Sequence, residues 1–344
     1  MIINHLNYRI MKKELNFELL KSLYKVFSPS MNEKKMRRFI KRHINNNIAG
    51  VTIVQDKAGN LLITKGDSDS YPCICAHMDQ VQHLHPKDFT CVENDDVIFG
   101  YSPKERKQCG LGADDKNGLF IALECLASYD VIKCAFFVGE EIGCKGSGAV
   151  DVSFFDDCRY CIQIDRRGNS DMVTSIYSEM CSDEFLTEVD CQSHGYEISD
   201  GLMTDVAELR ERGVAVSCIN LSCGYYEPHT DYEFTSKSDL QKCYDFVCHI
   251  IENCTKKYKY EYFGGSRYNF FGHSQESGDR QYWLDFIHDE INDYLSFYED
   301  AEFEEVLDDL SYNGLTDYVD YDDIVSIYDN VKAELKKEAE LEEV

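Results

Sequence analysis

Apolar positions along this chain recur in two rhythms, one of period near 3.6 and one of short continuous runs. Over residues 16–45 they fall at Leu19, Leu20, Leu23 and Val26, then at Met36, Phe39 and Ile40, with Ser28-Pro29-Ser30 breaking the helical period. That pattern predicts two amphipathic helices. Residues 51–54 and 61–64, joined by Ala58-Gly59-Asn60, read as a β-hairpin whose Gly-Asn supplies the positive φ of a tight turn. Residues 73–76 form a short buried strand, and 93–107 a hairpin or loop. A helix over 117–129 would bury Leu119, Ile121, Ala122, Cys125 and Leu126. Residues 131–138 and 161–164 are further apolar strands, and 206–220 hold a helix and a strand. Strands alternating with helices predict an α/β fold, a three-layer sandwich with a central mixed β-sheet flanked by helices.

Several of these runs end on a histidine or an acid. The first gives Ile74-Cys75-Ala76-His77-Met78-Asp79, the glycine turn gives Gly112-Ala113-Asp114-Asp115, and the next strand gives Val138-Gly139-Glu140-Glu141. Ile162-Gln163-Ile164-Asp165 repeats the pattern, and Tyr226-Glu227-Pro228-His229 adds a late histidine. Carboxyl ends of strands are where an α/β sheet presents reactive groups. Histidine nitrogen and carboxylate oxygen together suit zinc and harder divalent cations, and a shared acid lets two metals sit side by side. His77, Asp114, Glu141, Asp165 and His229 are the candidate ligands. Asp79 and Glu140 are the acids left over for orienting a ligand and moving a proton. Taken singly, each histidine reads first as a hydrogen-bonded core residue, and the Glu pair can be read as a solvated helix start. Five such pieces in order favour the metal.

This ordered set resembles that of the co-catalytic dizinc exopeptidases, the clan of peptidase T, carboxypeptidase G and the zinc aminopeptidases. The likeness extends from residue 16 to about 255, through residues 19–33, 51–66 and 201–229. It implies two Zn2+ ions, with Co2+ or Mn2+ as substitutes accepted by the same donors. By the same resemblance His77 and Asp165 hold one metal, Glu141 and His229 the other, and Asp114 bridges both. Asp79 would orient His77, Glu140 would be general base and then acid, and the peptide bond between Asp114 and Asp115 would be cis. Relatives with lid or insertion domains carry them after Asp165 or after Asp79. The intervals 165–229 and 79–114 are too short for a domain of about 100 residues, so the expectation is a minimal catalytic domain.

Charge and composition narrow the picture. A net charge of −28 argues against nucleic-acid binding, which rests on Lys and Arg. Of 63 acidic residues 23 lie from Ser274 onward against 4 of the 35 basic ones, leaving about −9 elsewhere. Trp283, Phe286, Ile287, Ile291, Tyr294 and Leu295 recur at helical spacing, and residues 303–310 and 324–341 add two more helical stretches. The organisation expected is a catalytic domain over 1–262, a linker over 263–280 around Gly264-Gly265, and an acidic helical region over 281–344. That region reads as a solvated bundle, or as a docking or self-association element for a basic partner. No apolar run is long enough to span a membrane, and residues 1–13 lack the apolar core of a secretory signal, so the cytoplasm is the expected location. Sixteen cysteines without such a signal are expected as free thiols, mostly small core hydrophobes. Asp205 reads either as a support for the site or as a helix cap. His83 and His85 resemble a metal tract but suit a cleft-lining surface loop better, and Arg166-Arg167 either a substrate-carboxylate clamp or solvated charge. The reading reached is a peptide-bond metallohydrolase, an aminopeptidase on short peptides before a carboxypeptidase or an amidase or deacylase. An inactive scaffold with a partner-binding tail is the reading from another class.

Overall fold

A computed structural model describes residues 13–82, 85–176, 178–261, 301–312 and 321–342, with Leu284, Ile287, His288, Ile291, Asn292 and Leu295 besides. The chain forms two compact units, Met1–Gly265 and Ser266–Val344. In the first, the described residues form fourteen strands and six α-helices, interspersed as expected of an α/β fold. They are α1 (Glu18–Tyr24), α2 (Lys34–Asn47), β1 (Val51–Gln55), β2 (Leu61–Lys65), β3 (Tyr71–His77), β4 (Thr90–Asn94), β5 (Val97–Ser102), β6 (Lys107–Cys109), α3 (Ala113–Ser128) and β7 (Ile132–Phe137). There follow β8 (Cys158–Arg166), β9 (Asp171–Ile176), β10 (Ser178–Glu179), α4 (Asp183–Val189), β11 (Glu197–Asp200), α5 (Asp205–Glu211), β12 (Cys218–Ser222), β13 (Tyr225–Tyr226), β14 (Phe234–Ser236) and α6 (Lys237–Asn253).

The main sheet runs β1-β2-β7-β3-β8-β12-β9-β10, with β11 paired to β9. Its centre, β7-β3-β8-β12, is parallel, and its flanks are antiparallel. The pleat sends alternate side chains to opposite faces. Ile74, Ala76, Cys134, Phe136, Ile162 and Ile164 meet α1, α2, α3, α4 and α6 on one side. Cys73, Cys75, Ala135, Phe137, Cys161 and Cys218 meet α5 and the turn over 152–155 on the other. Two cores therefore sandwich the sheet, and central strands buried on both faces explain their unbroken apolar runs. All sixteen cysteines are free thiols, and fourteen are buried.

A second sheet, β13-β14-β5-β4 with β6 on β5, was not legible as such. It joins the 90–109 hairpins to a hairpin more than a hundred residues later, through Phe234↔Phe99 and Thr235↔Ile98. Local pattern cannot report a pairing of that sequence separation. The β1–β2 hairpin is as expected, with Gly59 at φ 106°. Its turn reaches further: Asn60 Oδ1 accepts from Val138 N at 3.1 Å, and Asn60 Nδ2 donates to Gly146 O at 2.9 Å. The hairpin thereby fixes both ends of the turn that carries Glu140 and Glu141. Gly146 sits so close that an added Cβ would lie 2.3 Å from Asn60 Oδ1 and 2.6 Å from Val138 N.

In the second unit, α7 (Phe303–Tyr312) and α8 (Tyr321–Glu342) share a small core with Ile287, Ile291 and Leu295. Tyr328 in that core donates its hydroxyl to Ala301 O at 2.8 Å. The linker expected over 263–280 lies outside the described residues. No helix among the described residues is long and apolar enough to cross a membrane.

Asn60→Ala leaves the buried Val138 N–H and Gly146 carbonyl unpaired, so a loss of about 1–3 kcal/mol per orphaned group is expected. Urea unfolding of the variant beside the parent measures it, and an unchanged midpoint would show that the hairpin turn does not hold the Glu140 turn.

Candidate metal centre

Three neighbouring parallel strands end at one edge of the main sheet, and their ends supply the acids and the first histidine. His77 closes β3 opposite Phe137 of β7, and Asp165 lies on β8 two residues past the Cys75↔Gln163 pair. Glu140 and Glu141 follow β7 across Gly139, whose φ of 60° turns the chain over the sheet edge. Asp114 comes from the start of α3, where Gly112 is left-handed and the Asp114–Asp115 peptide is cis. His229 arrives from the β13–β14 loop, itself at φ 66°.

All seven sequence-predicted residues converge. His77 Nε2 lies 3.1 Å from Asp114 Oδ1, 3.6 Å from Asp165 Oδ1 and 4.0 Å from Glu140 Oε2. His229 Nε2 lies 3.4 Å from Asp114 Oδ2 and 3.1 Å from Glu141 Oε2. Asp114 thus turns one oxygen to each histidine. Donor atoms of His77, Asp114 and Glu141 fall within 4.8 Å of one another, as do those of His77, Glu140 and Asp165. His77 is fully buried, whereas the His229 side chain is 47% exposed, so one end of the cluster opens to solvent.

Left to the chain's own charges, this cluster is electrostatically unfavourable. Burial, and then Asp165, Asp205 and Glu141 against the pull of His77, drives the Glu140 carboxyl well above the usual range. Burial and the adjacent Asp114 do the same to Asp165 and, less strongly, to Glu141. Asp114 goes the other way, because hydrogen bonds from His229 and His77 outweigh its burial. Both imidazoles, despite burial, are pulled upward, His77 by Asp165 and Asp114, and His229 by Glu141 and Asp114 to about 12. Glu141 Oε1 is moreover buried without a hydrogen-bond partner. Two imidazoles and a surplus of carboxylates with an orphaned oxygen are a donor set that fits divalent cations.

Around it runs a layer of backbone-anchored acids. Asp79 accepts from Glu140 N at 3.1 Å, Glu141 N at 3.3 Å and Ser30 Oγ at 2.8 Å. Its Oδ1 is also 3.3 Å from His77 Nδ1, without hydrogen-bond alignment. Asp115 accepts from His77 N at 3.1 Å and Gly118 N at 2.9 Å. Asn220 pairs with the Asp165 backbone through both N–H and C=O, each at 2.9 Å. Sequence reasoning missed Glu233, which is fully buried and accepts from Gly112 N, Ala113 N and Asp114 N at 2.6, 2.9 and 3.2 Å. Burial lifts its pKa to about 7. Its one sequence signal was its place four residues past His229. Asp205 does not cap α5, whose N-cap is Thr204. Its buried carboxylate accepts from Ser147 Oγ at 2.5 Å and Gln163 Nε2 at 3.4 Å, with burial raising it to about 7. Arg166 Nε pairs with Asp171 at 3.4 Å, and Arg167 is exposed. His83 lies outside the described residues, and His85 lies between the Phe27 and Phe89 rings.

Three solved structures of similar fold are peptidases. Aminopeptidase PepT from Bacillus cereus matches with a TM-score of 0.54 at 16% identity, over 71% of this chain and 100% of its own. A tripeptidase from Staphylococcus aureus gives 0.57 at 15%, again over 71% and 100%. The TET1 peptidase from Pyrococcus horikoshii, which assembles into a tetrahedron or an octahedral shell, gives 0.51 at 18%, over 68% and 98%. The likeness is one of fold, an α/β sandwich about a mixed central sheet. No protein-family model and no curated protein matches the chain.

Glu233→Ala removes the acceptor for three consecutive amides beside Asp114. Divalent-cation affinity should fall about 10–100-fold, as for other residues that orient a ligand, read by titration calorimetry on the folded variant. Parental affinity would mean that Glu233 does not hold Asp114.

Proposed function

We propose that this protein is a dizinc exopeptidase, an aminopeptidase acting on short peptides, in which His77 and Asp165 hold one ion, Glu141 and His229 the other, and Asp114 both. One observation carries the reading: Asp114 offers Oδ1 to the His77 side and Oδ2 to the His229 side, at 3.1 and 3.4 Å. A lone structural metal has no use for an acid divided in this way between two histidines.

When bound, the ion pair supplies Lewis-acid polarisation of the scissile carbonyl and brings the pKa of water toward 7. Everything else falls to the chain. Glu140 takes the proton from the attacking water and returns it to the departing amine, a role that suits a carboxyl whose pKa lies above the ordinary range. Glu140 rather than Glu141 is assigned this role because Glu141 is the acid facing His229. Asp79 positions twice over, lying beside His77 Nδ1 and accepting from the amides of both glutamates. The solvent-facing His229 side admits substrate. A minimal catalytic unit of the length of Met1–Gly265, with a fold shared by an aminopeptidase and a tripeptidase, supports exopeptidase action on short chains. Free thiols throughout suit a reducing compartment, and we place the protein in the cytoplasm.

With zinc restored after chelation, the enzyme should release N-terminal residues from free short peptides and leave N-acetylated ones intact. Cleavage of the acetylated set would assign a carboxypeptidase or deacylase instead, and silence with two ions bound would assign a scaffold. Glu140→Gln should lower kcat by about 10²–10⁴ while elemental analysis still finds two ions per chain. Loss of an ion in that variant would make Glu140 a ligand and overturn its role as base.

A further inference from the structure

In this acidic chain five cations gather around a single cavity, away from the metal-type cluster. The cavity, of about 650 Å3, lies among the end of α1, one face of α2 and the loop after β3. Lys35, Arg38 and Arg42 recur at i, i+3 and i+7, so α2 presents them on one side, and Lys25 and Lys87 close on them from the flanks. None of the five makes an ion pair among the described residues. Asp88, the acid next to Lys87, is turned elsewhere, accepting from Ser102 Oγ at 3.1 Å and Lys104 N at 2.8 Å. Like charges held together without counter-charge repel one another, whereas Lys21 and Lys237 of the same unit are both neutralised by Glu93, at 2.8 and 2.7 Å.

The floor has a different character. Phe27, His85 and Phe89 are three adjacent rings with centroids 5.5 and 4.1 Å apart, the first pair stacked at 26° and the second tilted at 34°. His85 bonds to the Tyr24 backbone, and its Nε2 is buried with no partner. Burial, with Lys116 and Lys35 adding to it, holds that imidazole near a pKa of 4, so it is neutral at physiological pH. The floor therefore offers uncharged aromatic surface, while the rim calls for several negative charges.

We propose that this cavity binds a nucleoside polyphosphate, its phosphates on the Lys35–Arg38–Arg42 face and Lys25 and Lys87, its nucleoside end against the Phe27, His85 and Phe89 rings. Cations set at intervals around a concavity suit a chain of phosphates better than one carboxylate, and Arg binds phosphate in bidentate fashion. The volume is that of a small-molecule site. An aromatic wall suits a planar base.

Equilibrium dialysis of the full chain with ATP, adenosine and inorganic triphosphate tests it. Expected are one ATP per chain, triphosphate at least about tenfold weaker, no measurable adenosine, and affinity that falls with added salt. Arg38→Glu with Arg42→Glu, both exposed on α2, should cut ATP affinity at least tenfold with circular dichroism and thermal midpoint unchanged. His85→Ala opens the ring wall and should bring ATP toward the level of triphosphate with circular dichroism unchanged. No ATP binding, or binding that the double variant leaves untouched, overturns the proposal. Equal affinity for triphosphate and ATP overturns the nucleoside part. Displacement of ATP by a peptide of residues 302–309 but not by triphosphate assigns the cavity to an acidic segment instead.

Discussion

Mutual repulsion among buried carboxylates is the constraint on which this structure is built. Asp79, Asp114, Glu140, Glu141, Asp165 and Asp205 all reach one edge of the sheet, and a folded chain tolerates that only where each acid has partners. The inner acids face the two histidines and polar side chains, while Asp79 and the surrounding acids Asp115 and Glu233 are held by backbone amides. Asp79 takes those of Glu140 and Glu141, Asp115 that of His77, and Glu233 three in succession before and at Asp114. Each bond both calms an acid and fixes the segment that carries another, so the anchoring acids determine where the inner ones point. The left-handed turns at Gly112 and Gly139 and the close approach of Gly118 to Ile164 serve this arrangement, since a side chain at Gly118 would strike Asp115.

Much of the inner set was legible because it follows from one topological rule. Apolar runs on central parallel strands are continuous, and what comes directly after them lies at the ligand edge. His77, Glu140, Glu141 and Asp165 announce themselves in this way, and Asp114 does so through its glycine turn. Glu233 and Asn220 did not, because they act on main-chain atoms far off in sequence, and a backbone amide has no residue signature. The accessory sheet escaped for the same reason: Phe234 and Phe99 look like neither a hairpin nor a repeat. Asp205 was ambiguous because an acid at the start of a helix is usually a cap, and only its burial against Ser147 and Gln163 separates the two roles.

Charge is distributed with similar economy. The acidic excess lies largely in the second unit, where α7 and α8 close on an ordinary small core. In the first unit, Lys21 and Lys237 share Glu93 and Lys256 lies between Glu184 and Glu188, whereas the five cations around the cavity beside α2 make no ion pair among the described residues. The loop that leads from there, residues 25–33, ends at Ser30 and Glu33, which contact Asp79 and Gly139 N.

His77 and Asp165 belong to adjacent parallel strands in the middle of the sheet, and that half of the cluster is finished as soon as the core is. His229 belongs to a short hairpin loop at the surface, and joins only when β14 has found β5 across more than a hundred residues. The two halves therefore differ in the opening energy that stands behind them, one tied to global unfolding and the other to release of a single loop. An ion on the first side would exchange on the timescale of the whole fold, and one on the second on the timescale of a local fluctuation.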